Sequence, residues 1–315
     1  MNIKKIFSLI CLLLLFLNCE QNKPLSKKNI KKSVEITVLG TVQDGGMPHL
    51  GCTKSCCKNY FEKGYSKKRV VSLGLSDNKK NKNFIFEASP DISIQLHDFL
   101  ENNAKKLDGI FITHAHIGHY SGLMHLGREV SNTFKTPLYL MPKMTDFISS
   151  NGPWEQLVKL KNVELKNLFH KKEEKLSENI RVIPFRVPHR DEYSETVGFR
   201  IIGPNKSVLF IPDIDKWDKW DISIKKLISE IDYAFLDGTF YDSKEINNRD
   251  ISEIPHPFVI ESLELFKDLK KTDKNKIYFI HLNHTNPLLN SKSKEYQHVI
   301  SSGYNIALEG LKLEL

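Results

Sequence analysis

A chain of 315 residues with 40% hydrophobic and 27% charged residues has the composition of a folded protein, which excludes a largely disordered chain. The formal net charge of +8 is concentrated at the N-terminus, because residues 1–32 hold seven lysines and one glutamate, a balance of +6 that leaves +2 for the remainder. A basic surface of the kind that binds nucleic acid is therefore not indicated.

The N-terminus has the pattern of an export signal. Two lysines precede an apolar run from Ile6 to Leu17 that is interrupted only by Ser8, which suits a secretory signal and is short for a membrane span. The following Asn18-Cys19 resembles the end of a bacterial lipobox, where cleavage exposes a cysteine that receives lipid; the alternative is an ordinary signal peptide with an incidental cysteine. We predict an exported, cell-envelope lipoprotein with three regions: a signal peptide over 1–18, a flexible lysine-rich tether over 19–33 that begins at the membrane anchor Cys19, and one folded domain over 34–315.

Beyond residue 33, short β-rich runs alternate with amphipathic helical stretches, and no internal repeat is visible. Strands are predicted at 33–39, 84–87, 109–113, 137–140, 181–185, 207–211, 233–236 and 277–280. Helices are predicted at 91–102, 144–149, 222–231 and 257–269. Several strands are apolar on both faces, which indicates covered sheets and an α/β layered domain.

Polar side chains follow five of these strands, at the point where each strand ends. Because α/β proteins build their sites from the loops at one edge of a sheet, we expect these side chains to lie together. They are His114, His189, Asp213, Asp237 and His281.

Three histidines lie within six residues of one another after the strand at 109–113. His114 and His116 are two apart, so extended backbone points both rings the same way, and His119 follows where a helix is expected to begin. A lone pair of histidines is more often a core or surface feature. Three at this spacing indicate a catalytic metal site, which needs several converging imidazoles or carboxylates and an open position for water.

The motif His-Ala-His-Ile-Gly-His resembles the His-x-His-x-Asp-His signature of the metallo-β-lactamase superfamily. The resemblance implies an α/β fold, the αββα four-layer sandwich. It also implies a metal site in which Asp213 bridges two ions. The first ion would be held by His114, His116 and His189, and the second by His119 and His281.

Gly118 departs from the signature, because the family usually has aspartate there to hold the second metal and handle the proton of the water. The departure implies either a mononuclear site or compensation by Asp215 or Asp237 from a neighbouring loop. The catalytic residues predicted are Asp213 and His256. His256 resembles the histidine that protonates the leaving group in tRNA-processing nucleases of this fold, and the alternative is a surface loop histidine.

The remaining cysteines do not suit a disulfide framework, because removal of the signal and acylation of Cys19 leave an odd number. The cysteine cluster, the glycine-rich loop before it and the late His-x-x-His pair resemble the PqqB family of pyrroloquinoline quinone biosynthesis. The cysteines and that pair also resemble a phosphodiesterase of the carbon-phosphorus lyase pathway, which holds a structural zinc. By position, the resemblance implies a closed zinc site, with free or buried thiols as the alternative. Its ligands would be Cys52, Cys56, Cys57 and His284.

These features predict a metal-dependent hydrolase with a small-molecule substrate, of the phosphodiester or ester class, in the cell envelope. The cofactor expected is zinc, as one or two ions at the active site and one structural ion, with iron or manganese as alternatives at the active site. Two other functions stay open: an iron-dependent oxidative enzyme of the quinone-cofactor type, and a non-catalytic metal-binding lipoprotein.

Overall fold

The computed structural model describes residues 34–64, 67–101, 104–246 and 250–315. The predicted signal peptide, the tether and the anchor Cys19 lie outside the described residues. Within the described ranges, none of the helices has both the length and the apolar character that crossing a bilayer requires.

The first sheet has seven strands, which lie in the spatial order β14-β1-β2-β3-β4-β5-β6. Strands β3 to β6 run parallel to one another, whereas β14, β1, β2 and β3 form antiparallel pairs. The strands are β1 (Val34–Gly40), β2 (Ser72–Asp77), β3 (Lys82–Phe86), β4 (Gly109–Phe111), β5 (Thr136–Leu140), β6 (Val163–Asn167) and β14 (Lys312–Glu314).

The second sheet also has seven strands, in the order β13-β12-β11-β10-β9-β8-β7. Strands β10 to β13 are parallel, and β7 to β10 pair antiparallel. The strands are β7 (Glu174–Lys175), β8 (Arg181–Arg186), β9 (Val197–Ile202), β10 (Ser207–Ile211), β11 (Tyr233–Asp237), β12 (Ile277–Ile280) and β13 (Asn305–Ile306).

Helices cover the outer faces of both sheets. The α-helices are α1 (Ser55–Lys63), α2 (Ile92–Phe99), α3 (Ile117–Tyr120), α4 (Pro142–Ser150), α5 (Trp154–Lys159), α6 (Ile224–Ser229), α7 (Val259–Phe266), α8 (Lys271–Lys274) and α9 (Lys294–Ser301). Short 3₁₀ turns lie at Ser121–Leu126, Trp217–Lys219, Ser243–Ile246, Ile251–Glu253 and Pro287–Leu289.

Three apolar cores hold these layers together. The first lies between the two sheets and includes Phe86, Phe199 and Phe210, whose rings are fully buried. The second fills the space between the second sheet and helices α6, α7 and α9, and the third lies between the first sheet and helices α2 to α5. Because each sheet is packed on both faces, the chain forms four layers, and the predicted αββα sandwich is confirmed.

All eight predicted strands are present, with ends shifted by a few residues. The four predicted helices are also present. Three are shorter than predicted, for example Val259–Phe266 for the helix predicted over 257–269, whereas the helix predicted over 144–149 is longer, at Pro142–Ser150. Six strands were not predicted. Glycines interrupt the apolar pattern of β2 and β9, β6 is an edge strand that is largely polar, and β7, β13 and β14 are only two or three residues long.

Candidate metal centre

The predicted site residues meet between the two sheets, at the ends of their strands. His114 follows β4 of the first sheet, while Asp213 and His281 follow β10 and β12 of the second. His189 comes from the loop after β8. The site is thus assembled from both sheets, as the positions of the residues after strands predict.

One group of donor atoms has the spacing that a single cation needs. The Asp213 carboxylate lies 3.3 Å from His114 Nε2 and 3.2 Å from His189 Nε2. His116 Nδ1 lies 3.3 Å from His189 Nε2. Ligands bound at about 2.0–2.1 Å to one ion stand about 3.0–3.5 Å apart, so these four residues fit one metal ion.

A second group of donor atoms lies next to the first. His119 Nε2 lies 3.3 Å from Asp44 Oδ1 and 3.8 Å from Asp213 Oδ2. His281 Nε2 lies 4.0 Å from the same Asp213 oxygen, and the ligand atoms of Asp44, His119 and His281 all lie within 4.8 Å of one another. Asp213 therefore stands between the two groups, where a bridging carboxylate would stand.

Five donor atoms of the two groups are buried and lack a hydrogen-bond partner among the described residues. Among the described residues, the buried atoms without a hydrogen bond include the Nε2 atoms of His114, His119 and His281 and the Oδ1 atoms of Asp44 and Asp213. Leaving a polar atom buried and unpaired costs about 1–3 kcal/mol. Five such atoms in two adjacent groups fit cation binding, because a cation in each group would satisfy the unpaired atoms of that group.

Side chains behind the rings fix their orientation. Thr113 Oγ1 lies 2.8 Å from His114 Nδ1, and Thr239 Oγ1 lies 2.8 Å from His281 Nδ1. The fully buried Glu87 lies 3.3 Å from Nδ1 of His119. These contacts turn the Nε2 atoms toward the centre, as outer partners of metal-binding histidines do. The sequence analysis did not predict these three residues, Thr113, Thr239 and Glu87. The sequence shows that they lie near the ends of buried strands, but it does not show which of them contacts a histidine ring.

Metal ligands must be neutral imidazoles and ionised carboxylates, and the shifts at His114, His281, Asp44 and Asp213 are in that direction. Burial lowers the pKa of His281 to about 4, and burial together with the nearby His119 lowers the pKa of His114 well below its ordinary value. Burial acts to raise the pKa of Asp213 and Asp44, but the surrounding imidazoles outweigh it and hold both carboxyls well below their usual range. His119 differs: burial acts to lower its pKa, but Glu87 and Asp44 outweigh it and raise the pKa well above its ordinary value as long as no cation occupies the group.

His256 also lies in the site, beside the bridging carboxylate. Its Nδ1 lies 2.9 Å from Asp237 Oδ2 and 3.2 Å from Asp213 Oδ1. Burial acts to lower the pKa of His256, but the charges of Asp237 and Asp213 outweigh it and raise the pKa to about 9. Asp237 also accepts hydrogen bonds from Thr239 and from the Ile214 N–H, so its oxygens serve to orient this region.

The carboxylate nearest to Gly118 comes from a residue that the sequence analysis did not consider. A Cβ atom on Gly118 would lie only 2.1 Å from Asp44 Oδ1. Asp215, one of the two compensating residues expected, instead pairs with Lys219 at 2.9 Å, and Asp237 is held by the hydrogen bonds just described. The available signal was an acidic residue in a glycine-flanked loop directly after β1.

The cysteines form a separate cluster with His284. The Sγ atoms of Cys52 and Cys56 are 3.8 Å apart, and those of Cys56 and Cys57 are 3.9 Å apart. Thiolates bound tetrahedrally at about 2.3 Å would stand about 3.8 Å apart. His284 Nδ1 pairs with the Asn283 side chain at 2.9 Å, which leaves its Nε2 for the thiols. Within residues 34–64 the three thiols form no disulfide, so the cluster fits a closed Cys₃His site.

One further histidine, missed by the sequence analysis, supports this cluster. The ring of His49 stacks on the ring of His284 with centroids 4.3 Å apart. The backbone N–H of His49 also donates to the Sγ of Cys57 at 3.3 Å, a contact that favours a thiolate. His49 therefore contacts both Cys57 and His284, but it is not itself one of the four candidate ligands.

Comparisons with known proteins place this geometry in a family. A family model described as a beta-lactamase superfamily domain matches residues 82–282, well over half of the chain. The chain is 24% identical to the coenzyme PQQ synthesis protein B of Acinetobacter baumannii (strain ACICU) over 313 residues, with 90% of this chain and all of the relative covered. The corresponding protein of Methylococcus capsulatus is 23% identical, with 89% of this chain and 99% of the relative covered.

Two solved structures show the same fold. The Zn(2+)-bound PqqB from Methylobacterium extorquens is 21% identical with a TM-score of 0.72, and covers 89% of this chain and all of its own. A diphosphatase from the PhnP family is 22% identical with a TM-score of 0.65, and covers 90% of this chain and 97% of its own. We refer to the two donor groups around Asp213 together as the histidine nest. The family match, the strand order and the histidine nest agree, and the chain belongs to the metallo-β-lactamase superfamily as a PqqB-like member.

Proposed function

We propose that this chain is a metal-dependent hydrolase that uses two adjacent cations to cleave a small phosphodiester, phosphoanhydride or ester. The observation that carries the proposal is the pair of donor groups that share Asp213, with unpaired ring nitrogens facing the same space. Two metal ions about 3.5–4 Å apart are the arrangement of many phosphatases and nucleases. A diphosphatase among the proteins of the same fold is consistent with this substrate class.

Zinc is the cofactor we propose for both the histidine nest and the cysteine cluster. Imidazole and thiolate are ligands that zinc prefers, and the closed cysteine cluster with its four donors suits a structural ion. The related protein from Methylobacterium extorquens is described as Zn(2+)-bound. Iron or manganese at the histidine nest are the alternatives, since imidazole and carboxylate ligands accept them too.

The residues around the nest supply positioning and a proton. Divalent ions, if held there, would supply activation of water and polarisation of a phosphoryl or carbonyl oxygen. Asp213 faces both donor groups and keeps their spacing. His256, whose Nδ1 is held by Asp237, keeps Nε2 as the atom from which it can donate a proton to a leaving group.

The experiment is a metal count on the purified chain, joined to an assay against phosphodiester, pyrophosphate and ester substrates. His116→Ala removes one donor of the first group, and we expect it to lose metal and activity together. His298→Ala, at an exposed position on α9, is the matched control. Activity unchanged in His116→Ala, or a native chain that binds no metal at the nest, would overturn the proposal.

A second candidate function rests on the similarity to PQQ synthesis protein B, which extends over 90% of this chain. It is an oxidative, quinone-related reaction that uses iron in the same nest. Anaerobic loading with ferrous iron distinguishes this function from the hydrolase. Turnover with quinones, or an iron spectrum that responds to them, is expected only for the oxidative enzyme. Tight metal binding with no turnover in either assay would instead support a metal-binding lipoprotein.

For location, we propose export and attachment to the envelope through lipid on Cys19. The support is the sequence pattern alone: lysines, an apolar run over 6–17, a cysteine two residues after it, and then a lysine-rich stretch. This placement favours a substrate met outside the cytoplasm. Fractionation of cells that express the full chain tests it.

A further inference from the structure

Position 118 and the loop after β1 compete for the same space. A Cβ atom on Gly118 would lie 2.1 Å from Asp44 Oδ1 and 2.5 Å from Asp44 Cα. The second contact is with backbone, so a side chain at 118 would require the whole loop to move. The position of the Asp44 carboxylate therefore requires glycine at 118, where the superfamily signature has aspartate.

The Asp44 carboxylate faces the second donor group. Its Oδ1 is buried without a hydrogen bond among the described residues, while its Oδ2 accepts from the Gln43 side chain at 3.1 Å. The free oxygen lies 3.3 Å from Nε2 of His119, which is itself unpaired. Nε2 of His281 is a third unpaired atom of the same group.

The backbone on either side of Asp44 is held in register with the segment that carries His281. The Leu282 N–H donates to Thr41 O at 2.9 Å, and the Gln43 N–H donates to Leu282 O at 2.9 Å. Val42 and Leu282 form a parallel bridge. The loop is therefore fixed next to one of the ligands that it would assist, which suits a residue that must supply a donor atom at a set position.

We propose that Asp44 supplies the second cation with the carboxylate that the superfamily signature supplies from position 118. The second site would then consist of Asp44, His119 and His281 with Asp213 as the bridge. This inference rests on the proposed function, because it deepens the same two-cation site. It also explains why Gly118 need not leave the site mononuclear.

A plain ion pair is the competing explanation of the same contacts. His119 lies between two carboxylates, with Glu87 3.3 Å from Nδ1 and Asp44 3.3 Å from Nε2. A doubly protonated ring could satisfy both without any cation. The two explanations differ in the number of ions bound, since an ion pair occupies the donor atoms that a second cation needs.

The test is the zinc content of the purified full chain by mass spectrometry, together with calorimetric titration of zinc into the metal-free protein. Asp44→Asn keeps the shape of the side chain and removes its charge. We expect its zinc content to fall by one ion per chain. We also expect the affinity of the weaker of the two nest sites for zinc to fall at least about 100-fold, which exceeds the usual effect of removing a residue that only hydrogen-bonds to a ligand. Asp215→Asn alters the ion pair with Lys219 and removes no donor atom of either group, so it is the control and is expected to match the native chain.

Cobalt substitution shows which ion is lost. The thiolate-to-cobalt charge-transfer band reports the cysteine cluster, and we expect Asp44→Asn to keep it. Gly118→Ala removes no donor atom, but its Cβ displaces the loop, and we expect it to lose the same ion as Asp44→Asn.

The outcomes distinguish failure of the proposed function from failure of the role of Asp44. A native chain without ions at the histidine nest would refute the proposed function itself. Two nest ions in the native chain and still two in Asp44→Asn would refute only the role of Asp44. If Gly118→Ala fails to fold, the Asp44→Asn result decides alone.

Discussion

Glu245 lies half-buried beside the cysteine cluster, in an open cavity of about 290 Å³ that Cys56 and Thr285 also line. It accepts hydrogen bonds from the Tyr241 N–H and from Thr285 Oγ1, the latter at 2.9 Å. Burial raises the pKa of Glu245 from 4.5 to about 7, and these two hydrogen bonds offset only part of that effect. The folded protein therefore keeps a proton on this carboxyl at pH values where the unfolded chain has lost it.

This difference makes the free energy of unfolding depend on pH. Between pH 4.5 and 7 the folded state binds more protons than the unfolded state, so stability falls as the pH rises through that window and levels off above it. A shift from 4.5 to about 7 corresponds to an upper limit of about 3 kcal/mol. Because the carboxyl is still partly solvated, we expect about 1–2 kcal/mol.

Glu245→Gln removes the titration while keeping the shape and an oxygen acceptor. We expect the variant to gain about 1–2 kcal/mol relative to the native chain between pH 5 and pH 8, measured by urea unfolding at each pH. Glu253→Gln, at an exposed position nearby, is the control and should leave the pH dependence as it is in the native chain. Parallel curves for Glu245→Gln and the native chain would show that this carboxyl is not protonated by folding.

Three further predictions concern the metal sites and the N-terminus. His256→Ala should lower kcat about 10²–10⁴-fold in a hydrolase assay while the metal content stays unchanged, because His256 lies outside the two donor groups that we propose for the cations; loss of metal would make it a ligand or a structural residue. Cys57→Ser should remove one zinc per chain and lower the thermal midpoint, measured by metal analysis and calorimetry, since the buried thiol closes the cluster; an unchanged zinc content would favour free thiols. Cys19→Ser should move the full chain from the membrane fraction to the soluble exported fraction, and a protein that stays membrane-bound would speak against a lipid anchor.

Much of the fold could be predicted from the sequence because the buried strands are short apolar runs. The strands that carry the site, such as β4 and β10, have this character, and their ends were placed to within a few residues. β6 lies at a sheet edge and is mostly polar, so its pairing with β5 is a tertiary property that local pattern does not show.

The site was predictable where ligands follow strands and less so where they come from loops. His114, His189 and Asp213 stand two or three residues beyond the ends of strands, and the structure brings their donor atoms together. Asp44 stands in a loop whose path depends on contacts with Leu282, more than 200 residues away in sequence. Spacing therefore showed that a carboxylate was missing at position 118, but only the fold shows which residue fills the space.

The loop that carries Asp44 connects the histidine nest to the cysteine cluster. Its beginning is bound to Leu282 by two backbone hydrogen bonds, and further along the chain Cys57 and the stacked ring of His49 join it to His284. His281 lies at the start of that same short segment, in the left-handed backbone region at φ 63°, a conformation that persists only where its surroundings enforce it. An ion that ties the cysteines to His284 would therefore hold both Asp44 and His281 in place, because each lies on one of the two segments that the cysteine cluster joins.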